Sequence, residues 1–291
     1  MLDVLGAAAG AAVGAPPLQL PALLSAASWL MIATGAVTCV CLTVLRLRAP
    51  YGKYAGDARG GGWGPAVPAR LAWFLQEVPA LAVPLWVWWV SARERASAAC
   101  PACGAPWASA NTLLLVLFCA HYAHRALIFP LRLRGGKPTP AIIAAMAFAF
   151  CAFNGALQGL WLARAWRPAG GDDAAWTHEP HVVLGLALFA AGAAINLHAD
   201  TVLLNLRKPG ETGYAIPRGG FFFYVSGANY FGEIVEWAGW ALAAGTLPAA
   251  AFAAFTFCNI GPRGVQHHAW LKAHFGDKYP RARTAVIPFL W

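Results

Sequence analysis

The sequence predicts an all-α, polytopic integral membrane protein, and three observations carry that prediction. Of 291 residues, 59% are hydrophobic and only 11% are charged, against roughly 45–50% and about 25% in an ordinary soluble domain. The apolar residues gather into runs of about 20, the length of helix that crosses a hydrocarbon layer roughly 30 Å thick. The 14 Trp and 16 Phe suit a bilayer, because Trp collects at its interfaces. The net charge of +9 is spread between apolar runs instead of forming one basic domain, which excludes a nucleic-acid binder. The same composition excludes a disordered chain and a disulfide-framework miniprotein.

Seven spans can be marked in order. The first runs from about Leu18 to Leu45, with no Lys or Arg before Arg46. It lacks the basic lead of a signal peptide and is expected to be retained. The second runs from about Leu71 to Val90, with Gln76 and Glu77 directly after Trp73-Phe74-Leu75. The third covers Ala110 to Pro130, and the fourth Ala141 to Leu162. The fifth runs from Val182 to Leu206 and the sixth from Phe221 to Ala244. The seventh, Pro248 to Ile260, is short, and only Gly245-Thr246-Leu247 separates it from the sixth. A single domain, 1–291, follows, with 1–17 as a variable lead and an enclosed cavity between the helices.

Lys and Arg orient such a bundle, since loops rich in them stay cytoplasmic. Arg46, Arg48, Lys53, Arg59 and Arg70 follow the first span, and Arg125, Arg132, Arg134 and Lys137 lie at the end of the third. Arg207, Lys208 and Arg218 follow the fifth, and Arg263, Lys272, Lys278, Arg281 and Arg283 occupy the tail. The remaining loops are poorer in them. This bias predicts an amino terminus outside and a carboxyl terminus in the cytoplasm. The Ala-rich and Gly-rich composition points to a bacterial inner membrane.

Ionisable residues inside spans are costly, roughly 2.5–3.5 kcal/mol each at a helix centre. Glu77, Asp200, Glu233 and Glu236 are four of them, and together they predict a buried polar site. On the fifth span Asn196, Asp200 and Arg207 share one helical stripe, and on the sixth Asn229, Glu233 and Glu236 share another. On the third, His121, Tyr122, His124 and Arg125 are helical neighbours. The spacing of His is too sparse for a di-iron site, so no metal is expected. The chain has no HExxH, GxSxG, P-loop or GxGxxG. Cys100 and Cys103 form a lone CxxC, read as an incidental loop feature.

The longer strings are more specific. Pro50-Tyr-Gly-Lys-Tyr54, Val67 to Pro79, His121-Tyr-Ala-His-Arg125, Ile195 to Asp200, Leu206 to Glu211, Tyr224 to Trp237 and Ile287-Pro-Phe-Leu-Trp291 resemble the steroid 5α-reductases, also called 3-oxo-5α-steroid 4-dehydrogenases. The resemblance runs from about Leu42 to the carboxyl terminus.

It implies an enzyme that reduces the Δ4 double bond of a 3-oxo-steroid with NADPH. Hydride addition at C5 places negative charge on the C3 oxygen, so the site needs donors aimed at that atom. By similarity these are Glu77 and Tyr122, with Trp73 and Gln76 also meeting substrate. A carboxyl group flanked by Trp73, Phe74 and Leu75 is expected in apolar surroundings that favour its neutral, donating form. By similarity the dinucleotide is held by Asn196, Asp200, Arg207, Tyr214, Asn229, Glu233, Arg263 and His267, with Tyr51, Lys53 and Arg125 contributing. The steroid would enter from the bilayer and NADPH from the cytoplasm. The sequence departs from the family pattern at Arg132 to Lys137, at Ala215 and at Leu271. Two alternatives are a membrane reductase of another lipid, such as a polyprenol or an enoyl thioester, and a non-catalytic sterol-binding protein. A third is a methyltransferase of the isoprenylcysteine type using S-adenosylmethionine.

Overall fold

The computed structural model describes residues 19–48, 52, 54, 62–97, 109–166, 168, 172–206 and 213–291. Tyr51, Lys53, Arg207, Cys100 and Cys103 lie outside the described residues. Among the described residues the helices are α1 (Leu20–Thr43), α2 (Ala69–Ser97), α3 (Ala110–Ala123), α4 (Phe129–Arg132), α5 (Ala141–Leu160), α6 (Asp173–Trp176), α7 (Pro180–Leu204), α8 (Ala228–Ala244) and α9 (Leu247–Phe275). A π-helical turn at His124–Ile128 joins α3 to α4, and another at Trp161–Ala165 extends α5.

Among the described residues, five helical segments are long and apolar enough to cross a membrane: Leu20–Thr43, Ala69–Glu94, Ala110–Arg132, Ala141–Ala165 and Pro180–Leu204. They match the first five spans read from the sequence to within a few residues. Their apolar residues also face outward, with Trp29, Leu30, Val37, Val40, Trp86, Trp89, Met146, Val183 and Leu184 all exposed. A polytopic membrane protein presents such a surface to lipid.

The sixth and seventh spans are corrected. Residues 221–227 do not join the sixth helix. Gly219 and Gly220 adopt φ of 101° and 50° and start a 3-10 turn, Gly220–Phe223. Ser226 and Gly227 then donate their N–H groups to Thr284 and Ala285, which pins the segment to the tail and leaves a helix of 17 residues. The last helix does not stop near Ile260. It runs through Pro262 for 29 residues, and its second half carries Arg263, His267, His268 and Lys272, a polar arm on an apolar base.

The fold divides into two compact units. The first contains α2, α3, α5 and α6, with a short antiparallel pairing of β1 (Ala66–Val67) and β2 (Thr139–Pro140). Its centre is the close packing of α2 on α5. A Cβ on Gly155 would stand 3.0 Å from Pro84, and one on Gly159 would stand 2.8 Å from the Pro84 Cα. Small residues allow this approach just where Pro79 and Pro84 interrupt the α2 hydrogen-bond ladder. Further along, Arg164 donates to Ser91 at 3.0 Å and pairs with Glu94, so the two helices run parallel in one register.

The second unit contains the latter part of α1, together with α7, α8, α9 and the tail. Here α7 and α8 pack antiparallel through facing glycines. A Cβ on Gly185 would lie 2.5 Å from the Ala243 nitrogen, and one on Gly232 would lie 2.5 Å from the Asn196 nitrogen. Trp237 fills the interface with α9 against Phe252, ring centres 4.5 Å apart.

Candidate active site

In the first unit, the α2–α5 register brings Glu77 beside Cys151, whose thiol approaches the carboxylate at 3.9 Å. The α3 side contributes Arg125, with Nη2 3.6 Å from Glu77 Oε1. That guanidinium also lies over the rings of Trp73 at 4.7 Å and Phe129 at 5.1 Å, and Trp73 packs on Phe129. Tyr122 is buried on α3 against Phe118 and His121. Gln76 is half-buried on α2. The π-helical turn begins two residues after Tyr122, and such turns frequently mark functional sites in helices.

One expectation changes here. Phe74 and Leu75 are exposed, at 38% and 37%, so they do not build an apolar pocket around Glu77. Of the three flanking residues only Trp73, one helical turn before Glu77, joins its cluster. Arg125 stands in the first unit beside Glu77 and Trp73. The Trp73 indole N–H is buried and meets no acceptor among the described residues. A buried donor left unmet costs stability unless a ligand takes it up.

In the second unit, Asn196 and Asp200 are both 2% exposed on α7. Asn196 donates its side-chain N–H to the Asn229 carbonyl at 2.9 Å, a contact that the glycine-mediated approach of α7 to α8 makes possible. Asn229 and Glu233 stand in the first turns of α8, where the helix dipole favours negative charge. On α9, Arg263 is held by Asn259, its Nε donating to Oδ1 at 2.9 Å, and His267 follows one turn later. Tyr214 is 40% exposed and meets Trp270 edge to face at 4.7 Å.

The unit also contains polar groups that the sequence reading counted only as tail charge or passed over. Ser226 Oγ lies 2.6 Å from His268 Nδ1 and 2.6 Å from the Tyr279 hydroxyl. Arg283 is buried over the Tyr279 ring, and its Nε and Nη1 meet no acceptor among the described residues. Burial, with Lys272 and Arg283 nearby, holds the His268 imidazole below its ordinary value. No local spacing marks this cluster, because its members meet only through the pairing of Val225 with Thr284. Arg132, one of the ambiguous basic residues, donates to Thr201 Oγ1 at 2.9 Å.

The chain is a multi-pass helical membrane protein with a carboxylate, a phenol and a guanidinium held in one unit and a second buried polar cluster in the other. The family model for 3-oxo-5-alpha-steroid 4-dehydrogenase matches residues 137–291. The chain is 46% identical over 275 residues to 3-oxo-5-alpha-steroid 4-dehydrogenase 1 of Bos taurus, covering 92% of this chain and 97% of the relative. It is 42% identical over 272 residues to the Homo sapiens protein of the same name, covering 92% and 96%. Against 3-oxo-5-alpha-steroid 4-dehydrogenase 2 of Homo sapiens it is 42% identical over 264 residues, covering 89% and 96%. The chain belongs to the 3-oxo-5-alpha-steroid 4-dehydrogenase family.

Proposed function

We propose that this protein reduces the Δ4 double bond of 3-oxo-Δ4-steroids to 3-oxo-5α-steroids, with NADPH as the reductant. The observation that carries the reading is the grouping of Glu77, Arg125 and Trp73 in the first unit, with Tyr122 buried one helical turn before Arg125, together with the family membership. NADPH, when bound, supplies the hydride that C5 receives.

Electron density then moves from the C4–C5 double bond toward the C3 oxygen, and the protein lowers the barrier by meeting that charge. Tyr122 donates its phenolic O–H to that oxygen, and Glu77 is the second group that the family pattern places there. Arg125, 3.6 Å from Glu77, adds a fixed positive charge where the enolate develops. C4 finally takes a proton from solvent, so that steroid, NADPH and one proton give the reduced steroid and NADP+. Trp73 and Gln76 border the substrate, and the unmet Trp73 N–H is available to it.

The donor set of the second unit suits a dinucleotide phosphate. Asn196, Asn229, Asp200 and Glu233 offer partners for carboxamide, ribose and adenine groups, and Arg263 and His267 offer positive charge for phosphates. Arg207, Tyr214, Tyr51 and Lys53 complete the proposed set, and Arg125 serves both reactants. The chain is read as seven membrane helices with the amino terminus outside and the carboxyl terminus cytoplasmic, supported by the placement of Lys and Arg. Steroid arrives from the lipid and NADPH from the cytoplasm. The test is NADPH oxidation by purified protein given progesterone, testosterone or androstenedione, with the C5 configuration of the product determined. Steroid-dependent oxidation yielding a 5α product supports the reading, and bound steroid without NADPH consumption contradicts it.

A further inference from the structure

We propose that Phe129 is a positioning residue for steroid reduction, its ring face holding the Arg125 guanidinium beside Glu77. The proposal rests on the reading of Glu77 and Arg125 above, and every group in it lies in the first unit. Arg125 Nη2 stands 3.6 Å from Glu77 Oε1, a separation that does not by itself fix the plane of a guanidinium as a close bidentate pair would. Two rings supply that plane. The Arg125 Cζ lies 4.7 Å from the Trp73 ring centre and 5.1 Å from that of Phe129, within the distance at which an aromatic face holds a cation. The two rings stand 4.7 Å apart at 41°, so together they form a wedge under the charge.

The chain places Phe129 there by interrupting its own helix. α3 ends at Ala123, and His124–Ile128 is a π-helical turn from which the Phe129 N–H reaches back to the His124 carbonyl. Pro130 follows directly. Its ring carries no N–H and crowds the carbonyl four residues earlier, and a wider turn accommodates it. One extra residue in a turn rotates everything after it by about 100°. In the resulting register Phe129 is buried, while Leu127 and Ile128, at 44% and 50%, are exposed.

A guanidinium set in place beforehand matters for charge that develops only in the transition state. Arginine has a long stem and loses side-chain freedom when it is ordered. Ordered before the steroid arrives, it meets the developing enolate without reorganisation at the moment of reaction. Phe129 itself brings no proton, charge or hydrogen-bonding side chain, and it lies outside the motifs that carry the family resemblance. Its effect on the reaction is therefore exerted through Arg125, and that dependence is measurable.

The test is a double-mutant cycle on full-length protein in detergent, with androstenedione varied at saturating NADPH. Phe129→Leu keeps an apolar side chain without a ring face, and Arg125→Met keeps length without charge. Phe129→Leu alone is expected to lower kcat about fivefold, the scale of one cation–π contact. The steroid KM should stay within about twofold, because the charge acts on the transition state and not on the bound ketone. In the Arg125→Met background the same substitution should change kcat less than about twofold. Phe129→Tyr, which retains the ring face, should keep at least about half of the wild-type kcat. An unchanged kcat in Phe129→Leu overturns the proposal, and so does an equal loss in both backgrounds, the mark of a merely structural role. If Phe129→Leu does not fold, Phe129→Met takes its place in the cycle. A wild-type protein that reduces no steroid defeats the parent reading. The same four proteins then decide this proposal by melting temperature: Phe129→Leu is expected to lower it less in the Arg125→Met background, and equal shifts overturn it.

Discussion

Glu77 illustrates how a single side chain is kept in a membrane span at a cost that composition alone would forbid. Its carboxylate stands near Arg125 at 3.6 Å and the Cys151 thiol at 3.9 Å, so desolvation is partly compensated inside the protein. Tyr122 is buried on the neighbouring helix. Glu77→Gln and Tyr122→Phe should each lower kcat about 100-fold, the usual scale for a lost acid or oxyanion donor. NADPH affinity should hold, which steady-state kinetics with each reactant varied will check. His268 supports a pH prediction. Its imidazole lies below its ordinary value through burial and the charges of Lys272 and Arg283, from a starting value of 6.5. The unfolded chain therefore takes up the proton first as pH falls, and the folded state loses stability below about 6.5. Thermal unfolding from pH 7.5 to 5.5 should show a steeper loss in the wild type than in His268→Asn.

At the scale of elements, facing glycines set the helix spacing that the polar contacts need. A Cβ on Gly232 would fall 2.5 Å from the Asn196 nitrogen, and Asn196 must reach the Asn229 carbonyl across that interface. Gly232→Ala should force α7 and α8 apart, costing about 1–3 kcal/mol as overpacking does, and should raise KM for NADPH. A melting curve and a KM measured on the same preparation will show whether the two effects travel together. Much of this level was legible in the sequence. The stripes Asn196–Asp200 and Asn229–Glu233 follow directly from helical spacing, and both are placed in the second unit. The helix that begins at Ala228 and not Phe221 was not legible, because its start depends on Ser226 and Gly227 pairing with residues far along the chain. The meeting of His268 with Ser226, and the burial of Arg283 beside Tyr279, were not legible for the same reason. The surroundings of Glu77 were misjudged because Phe74 and Leu75 are exposed, which nearness in sequence to a half-buried residue does not reveal.

Over the whole molecule, the low proportion of charge divides into two roles. Most of the Lys and Arg are spaced between apolar runs, as orientation requires, and the few acids within spans lie beside partners. If the Lys and Arg pattern sets topology, protease added to the cytoplasmic face of sealed vesicles should remove a tag at the carboxyl terminus and spare one at the amino terminus. The opposite pattern would reverse the proposed orientation. The central claim concerns chemistry and is tested most directly with NADPH labelled with deuterium at the transferable position, purified protein and androstenedione. The account predicts a 5α-reduced steroid carrying one deuterium at C5, formed in step with NADPH oxidation. Unreduced steroid, or reduced steroid without deuterium at C5, would contradict it.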